Sequence, residues 1–244
     1  MRIEFIMRCV STNTVAREWL AAGGSGIYAV VAAEQTAARG RRNRFWASPA
    51  YGGVWMSVAF ARVTPKPLQT LAAGVAAYQT AKQFAPNAPI AIRWPNDLTT
   101  ADNRKLCGIL CEACPQGLIV GVGFNLHTSL LPAGLNAVGL DEWLQTEDVP
   151  DRRLHRDVAE TLVRSVCKWI MRLEDEGADA IIDAANEWMW RGTVRLETEE
   201  GVFVGQTLGV EENGELVVDV GGEKKHFLVA DVRLLRLQKP IGGT

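Results

Sequence analysis

Two hydrophobic periods divide this chain, and the point where one gives way to the other limits what it can fold into. From about Arg153 to Leu173 the residues Leu154, Val158, Leu162, Val166, Ile170 and Leu173 recur three or four positions apart, the spacing of one helix face. After Met189–Gly192 the spacing falls to two: Val194 and Leu196, Val202 and Val204, Leu216 to Val220, then Phe227 to Leu237. Glu200-Gly201, Asn213-Gly214 and Gly221-Gly222 punctuate these runs, and Asn-Gly is a strong hairpin signal. A small antiparallel β module at roughly 192–237 therefore follows a larger unit, and it is short enough to need packing against that unit.

The larger unit mixes both periods. Val15, Ala16, Trp19 and Leu20 predict a short helix after Ser11-Thr12-Asn13, a cluster able to cap it, with Gly23-Gly24 as the stop. Pro67 opens a second helix that reaches Phe84. Apolar runs at Tyr28–Ala33, Val54–Phe60, Ile90–Trp94, Leu106–Glu112 and Leu118–Gly123 predict strands bounded by turn formers. The expected class is α+β, a mixed sheet flanked by helices, with a division into residues 1–190 and 191–244.

A chain of 244 residues that is 48% hydrophobic buries a real core. It opens MRIEFIM, meeting charge at once, and has no apolar segment long enough to span a bilayer, so the expected location is cytoplasmic, with no membrane contact. Five cysteines, at 9, 107, 111, 114 and 167, fit a reducing compartment without structural disulfides. A net charge of −2 excludes a whole-protein field for nucleic acid or anionic lipid. Locally the balance differs, because four arginines lie between 39 and 44.

That cluster, Gln35-Thr-Ala-Ala-Arg39-Gly40-Arg41-Arg42-Asn43-Arg44-Phe-Trp46, cannot all enter a core. Gly40 and Asn43 permit a flexible loop able to order around a phosphate, the leading reading, with a solvated loop and then a nucleic-acid contact as the alternatives the residue types leave open. Arg93-Trp94-Pro95-Asn96-Asp97-Leu98 leaves an amide and a carboxylate in a turn, either an Asx turn or a pair that meets a metal-bound phosphate. Lys105 stands at the rim of an apolar run where its charge could oppose an α-phosphate, and Gly108 could admit a ligand to the backbone. Gly121-Val-Gly123-Phe-Asn125 lacks the third glycine of a dinucleotide fingerprint, and no GxxxxGK[ST] or GxSxG occurs. Cys107, Cys111 and Cys114 read as small buried hydrophobes, because the first two are too far apart along a strand to share one zinc.

Taken in order, Ser11-Thr12-Asn13, Gln35 to Trp46, Arg93 to Leu98, Arg104-Lys105-Leu-Cys-Gly-Ile-Leu-Cys-Glu112, Gly121 to Asn125 and Gly205-Gln-Thr-Leu-Gly209 resemble the biotin protein ligase family. The resemblance covers nearly the whole chain and implies a class II synthetase-like catalytic domain with a C-terminal SH3-like β-barrel. It implies two half-reactions: biotin and Mg-ATP give biotinyl-5′-AMP and pyrophosphate, then a lysine of a biotin carboxyl carrier protein takes the acyl group. Carried over, Ser11, Thr12, Asn13 and Gln35 line the biotin pocket, and Arg39, Gly40, Arg41 and Arg44 close over the adenylate. Trp46, Gly108, Gly123 and Asn125 serve the nucleotide, Asn96 and Asp97 the triphosphate and its Mg²⁺, and Lys105, with Arg39 and Arg41, the reacting carboxylate and α-phosphate. Ala38, Asn43, Arg93 and Cys107 stand where the family usually has glycine, glycine, lysine and alanine, and Val10 replaces an acidic residue. Asn43 retains access to positive φ. Ser11 comes too early to leave room for the DNA-binding domain of the repressor members, so no DNA partner is expected. A homodimer through an exposed sheet edge is one assembly the family implies. A lipoate or octanoate transferase of related fold, and a noncatalytic biotin-binding protein, are the competing readings.

Overall fold

The structure, a computed structural model, describes residues 1–144, 152–228 and 231–238. Positions 229–230 of the expected β module and 239–244 of the expected second domain lie outside the described residues. The chain runs β1 (Arg2–Cys9), α1 (Thr12–Ala21), β2 (Ile27–Gln35), β3 (Gly53–Ala61), α2 (Leu68–Phe84), β4 (Ile90–Arg93), β5 (Asp97–Thr100), β6 (Lys105–Cys114) and β7 (Gly117–Asn125). It continues with α3 (Arg152–Glu176), α4 (Asp179–Trp188), β8 (Arg191–Thr198), β9 (Gly201–Val210), β10 (Leu216–Val220), β11 (Glu223–Phe227) and β12 (Asp231–Gln238).

A seven-stranded sheet has the order β1-β2-β3-β7-β6-β5-β4. Only β1 and β2 pair in parallel, which requires a crossover, and α1 supplies it. β1 carries Arg2, Glu4 and Arg8 among its apolar residues, as an edge strand tolerates, and that mixture hid it from the periodicity. Ala16 and Leu20 of α1 pack on Tyr28, Val30, Ala59 and Ile119 on one sheet face. The other face carries α2, whose many alanines let its backbone lie close to the strands, with α3 and α4 around it. None of the described helices is long and apolar enough to cross a membrane.

The C-terminal strands form an antiparallel sheet in the order β11-β10-β9-β8-β12. This is the small antiparallel module expected after the larger unit, and among the described residues no β11–β12 pairing closes it into a barrel. The reason is burial. Val194, Leu196, Val210, Leu216, Val218 and Phe227 belong to the same core as α2 and the large sheet, so that core covers the apolar face that closure would otherwise hide. Two indoles tie the junction: Trp94 Nε1 donates to the Gly214 carbonyl at 2.9 Å, and Trp190 Nε1 to the Thr99 carbonyl at 3.0 Å.

Candidate active site

A cavity of about 740 Å³ lies where α1, the β2–β3 loop, the β4–β5 turn and the β6–β7 pair converge, and every site residue expected from the sequence lines it. The parallel pairing explains one end. Cys9 sits opposite Gln35, so the chain leaving β1 brings Ser11 and Thr12 beside the end of β2. Thr12 donates its backbone N–H to Gln35 Oε1 at 2.7 Å, and Gln35 Nε2 donates to Ser48 Oγ at 3.0 Å. Ser11 holds the N-cap position of α1 without a side-chain capping bond. The capping expectation fails for that side chain, which faces the cavity.

The other end is ionic. Lys105, first in β6, places Nζ 2.6 Å from Asp97 Oδ1, while Arg93 Nη2 meets Asp97 Oδ2 at 2.5 Å and Arg93 Nη1 donates to Asn103 Oδ1 at 2.6 Å. Pairing of Arg93 with Asp97 across the β4–β5 hairpin aligns these groups. Lys105 Nζ also lies 4.8 Å over the Trp46 ring, a cation–π contact. The indole rests on a glycine floor, since Gly108 and Gly123 pair across β6 and β7. A Cβ on Gly123 would come within 2.5 Å of Trp46 Nε1, and one on Gly108 within 2.8 Å of Lys105 Cε. Gly108 lines the cavity, with the Trp46 indole and the Lys105 stem lying where a side chain at 108 would stand. Trp46 Nε1 is buried against the Gly123 floor, with no hydrogen-bond acceptor among the described residues.

The Arg loop is a tight reversal with one 3-10 turn at Arg41–Asn43, closed by the Arg39–Phe45 bridge and by Gly40 N–H to the Arg44 carbonyl at 2.7 Å. Arg42 and Asn43 adopt positive φ, 54° and 59°, so the usual glycine position is met by asparagine as expected and by an arginine beside it. Arg41 Nη1 donates to Asn96 Oδ1 at 3.3 Å, and Asn96 Nδ2 donates to the Ile109 carbonyl at 2.9 Å, linking the loop to the β4–β5 turn. Arg39, Arg41, Arg42, Arg44, Arg93 and Lys105 line the cavity against Asp97 and Glu197, so its field favours anions. Asn125 is buried and donates to the Lys105 carbonyl at 2.9 Å, anchoring the start of β6.

The donor set does not fit a metal ligated by Asn96 and Asp97. Both Asp97 oxygens already face cations, and the Asn96 amide is engaged at both ends. Burial raises the Cys107 thiol far above its ordinary value and pushes Cys111 up to about 11, so neither is a thiolate nucleophile at neutral pH.

Sequence reasoning missed Ser57, Asn103 and the Leu131–Ala137 segment that closes one wall. Ser57 had a signal, being the lone polar residue in the run Val54–Phe60, where a buried hydroxyl demands partners.

Residues 6–128 match the model of the biotin/lipoate A/B protein ligase family. Over 258 aligned positions the chain is 31% identical to the biotin–[acetyl-CoA-carboxylase] ligase of Mycobacterium tuberculosis, covering 96% of this chain and 90% of that one. The chain belongs to this family, in its biotin protein ligase branch. It is 29% identical to the bifunctional ligase/repressor BirA of Bacillus subtilis, spanning 65% of that protein's length. The biotin protein ligase of Aquifex aeolicus in complex with biotin and ATP shares its fold, with TM-score 0.81 at 23% identity over 98% of this chain and 99% of that one.

Proposed function

We propose that this biotin protein ligase joins biotin to a lysine of a biotin carboxyl carrier protein in two steps through biotinyl-5′-AMP, with residues 1–190 as the catalytic domain and 191–244 as a small second domain. The observation that carries the reading is one cavity that holds the polar Thr12–Gln35 end and the cationic Lys105–Arg41 end together. Thr12 and Gln35 face the acid. Lys105, Arg39 and Arg41 stabilise the carboxylate and the α-phosphate as charge builds during attack, Arg44 and Gly40 complete the loop, and Trp46 beside Asn125 forms the nucleotide wall. Bringing two anions together needs neutralisation and orientation more than a general base, which matches a site rich in guanidinium groups.

Purified protein given biotin and Mg-ATP without carrier should exchange labelled pyrophosphate into ATP. Exchange with octanoate or lipoate and none with biotin would move the chain to the transferase reading, while biotin binding without exchange would make it a noncatalytic binder.

A further inference from the structure

Beneath the acid-binding end a polar chain runs from Thr12 and Gln35 through Ser57 and Asn13 to Glu112, a residue that the roles above leave unused. Asn13 Nδ2 donates to Glu112 Oε2 at 2.5 Å, and Arg17 Nη2 holds the other carboxylate oxygen at 3.0 Å. Ser57 Oγ lies 2.5 Å from Asn13 Oδ1 and 2.7 Å from Thr12 Oγ1, and Thr12 Oγ1 lies 3.0 Å from Gln35 Oε1. Thr12, Asn13 and Ser57 are 3%, 8% and 0% exposed, so their partners must come from the protein or the ligand.

The proton positions follow from the groups that have no choice. A carboxylate only accepts, so the amide nitrogen of Asn13 faces Glu112 and its oxygen faces Ser57. Two oxygens 2.5 Å apart need a proton between them, and the Asn13 carbonyl carries none, so the Ser57 proton lies there. The backbone N–H of Thr12 likewise fixes Gln35 Oε1 as an acceptor. Two contacts remain, Ser57 to Thr12 and Thr12 to Gln35, and only the Thr12 hydroxyl proton can fill either. The chain is one proton short.

We infer that Glu112 is a positioning residue that keeps this pocket short of one hydrogen-bond donor, so that a bound acid is recognised by an N–H group delivered at Thr12 and Gln35. The inference rests on the proposed function, because the ureido ring of biotin offers such an N–H and a plain fatty acid does not. The direction of the whole chain depends on the negative charge. With glutamine at 112 the Asn13 amide is free to turn, its nitrogen donating to Ser57, Ser57 to Thr12 and Thr12 to Gln35. Every contact then holds a proton, and the pocket no longer calls for one from the ligand.

Calorimetric titration of biotin, of octanoate and of ATP into wild type, Glu112→Gln, Ser57→Ala and the double variant tests this. Glu112→Gln should weaken biotin binding by about 10-fold, the scale of one lost hydrogen bond in a buried site, with ATP and octanoate affinities held within about twofold. Ser57→Ala cuts the chain, so adding Glu112→Gln to it should change biotin affinity by less than about twofold. Arg17→Gln, which removes the ion pair and leaves the carboxylate, should bind biotin like wild type. Biotin affinity unchanged in Glu112→Gln, or a loss of equal size in the Ser57→Ala background, would overturn the inference and leave the ligase reading standing. Wild type that binds octanoate and not biotin would overturn both, and that outcome is read on the unaltered protein alone.

Discussion

Lys105 stands between an aromatic face and the carboxylate of Asp97, 4.8 Å from one and 2.6 Å from the other. Its ammonium is thus held without being buried. Replacement by alanine should lower biotin-dependent pyrophosphate exchange by roughly two orders of magnitude, since one lost contact to a developing charge costs about 3 kcal/mol, while unfolding in urea stays near wild type. Exchange at the wild-type rate in folded Lys105→Ala would remove the residue from that role. Gly123 makes a different demand. Its missing Cβ is what lets Trp46 lie flat, so Gly123→Ala should shift the indole, raise the KM for ATP by about 10-fold or more and leave biotin affinity unchanged. Equal losses for both ligands would mean a general collapse of the site. His155 is buried, and desolvation chiefly holds its imidazole below the ordinary value, with a carbonyl bond opposing and His127 assisting. The unfolded chain therefore takes a proton near pH ~6.5 that the folded chain resists, so stability is full above that pH and declines as the pH falls below it. Denaturant midpoints from pH 7.5 to 5 should fall less steeply for His155→Gln than for wild type, and parallel slopes would assign the acid sensitivity elsewhere.

At the scale of elements, the loop from Arg39 to Arg44 combines cations with two left-handed residues, one of them a non-glycine, non-asparagine position. Repulsion among its guanidinium groups is relieved when a phosphate arrives, so biotin with ATP should protect it from limited proteolysis. Equal cleavage at demonstrated saturation would show that the loop does not close on the adenylate. For Arg41→Gly, which loses the contact to Asn96 Oδ1, the activated acid should escape faster and label unspecific amines more, as read from the adenylate dissociation rate. The strands that carry the site were visible in the sequence wherever they held a mainly apolar run, as in β3, β7 and the Leu106–Cys111 part of β6. β1, β5 and α4 were not. β1 is an edge with charges facing outward, β5 is four residues long and begins at the Asp97 expected in a turn, and α4 is one short apolar face between longer signals.

On the whole-molecule scale, the small sheet is joined to the large one through buried indoles and a common core. Trp94→Phe keeps the apolar ring and deletes the donor to Gly214, so it should cost about 1–3 kcal/mol in urea unfolding, with one transition for the whole chain. Two separated transitions would mean that the units fold apart. What the sequence determined by itself was local or additive: the periods of helix and strand, the hairpins at Asn213-Gly214 and Gly221-Gly222, and the chemical character of each motif, since residue type sets charge and hydrogen-bonding capacity wherever the residue ends up. Tertiary structure alone decided which motifs meet. The parallel β1–β2 pairing brings Thr12 to Gln35, the Gly108–Gly123 register lays Trp46 beneath Lys105, and the approach of α1 to β3 and β6 joins Asn13 to Ser57 and Glu112. These are pairings between residues far apart in the chain. Their energies depend on register and burial, and a one-dimensional pattern contains neither.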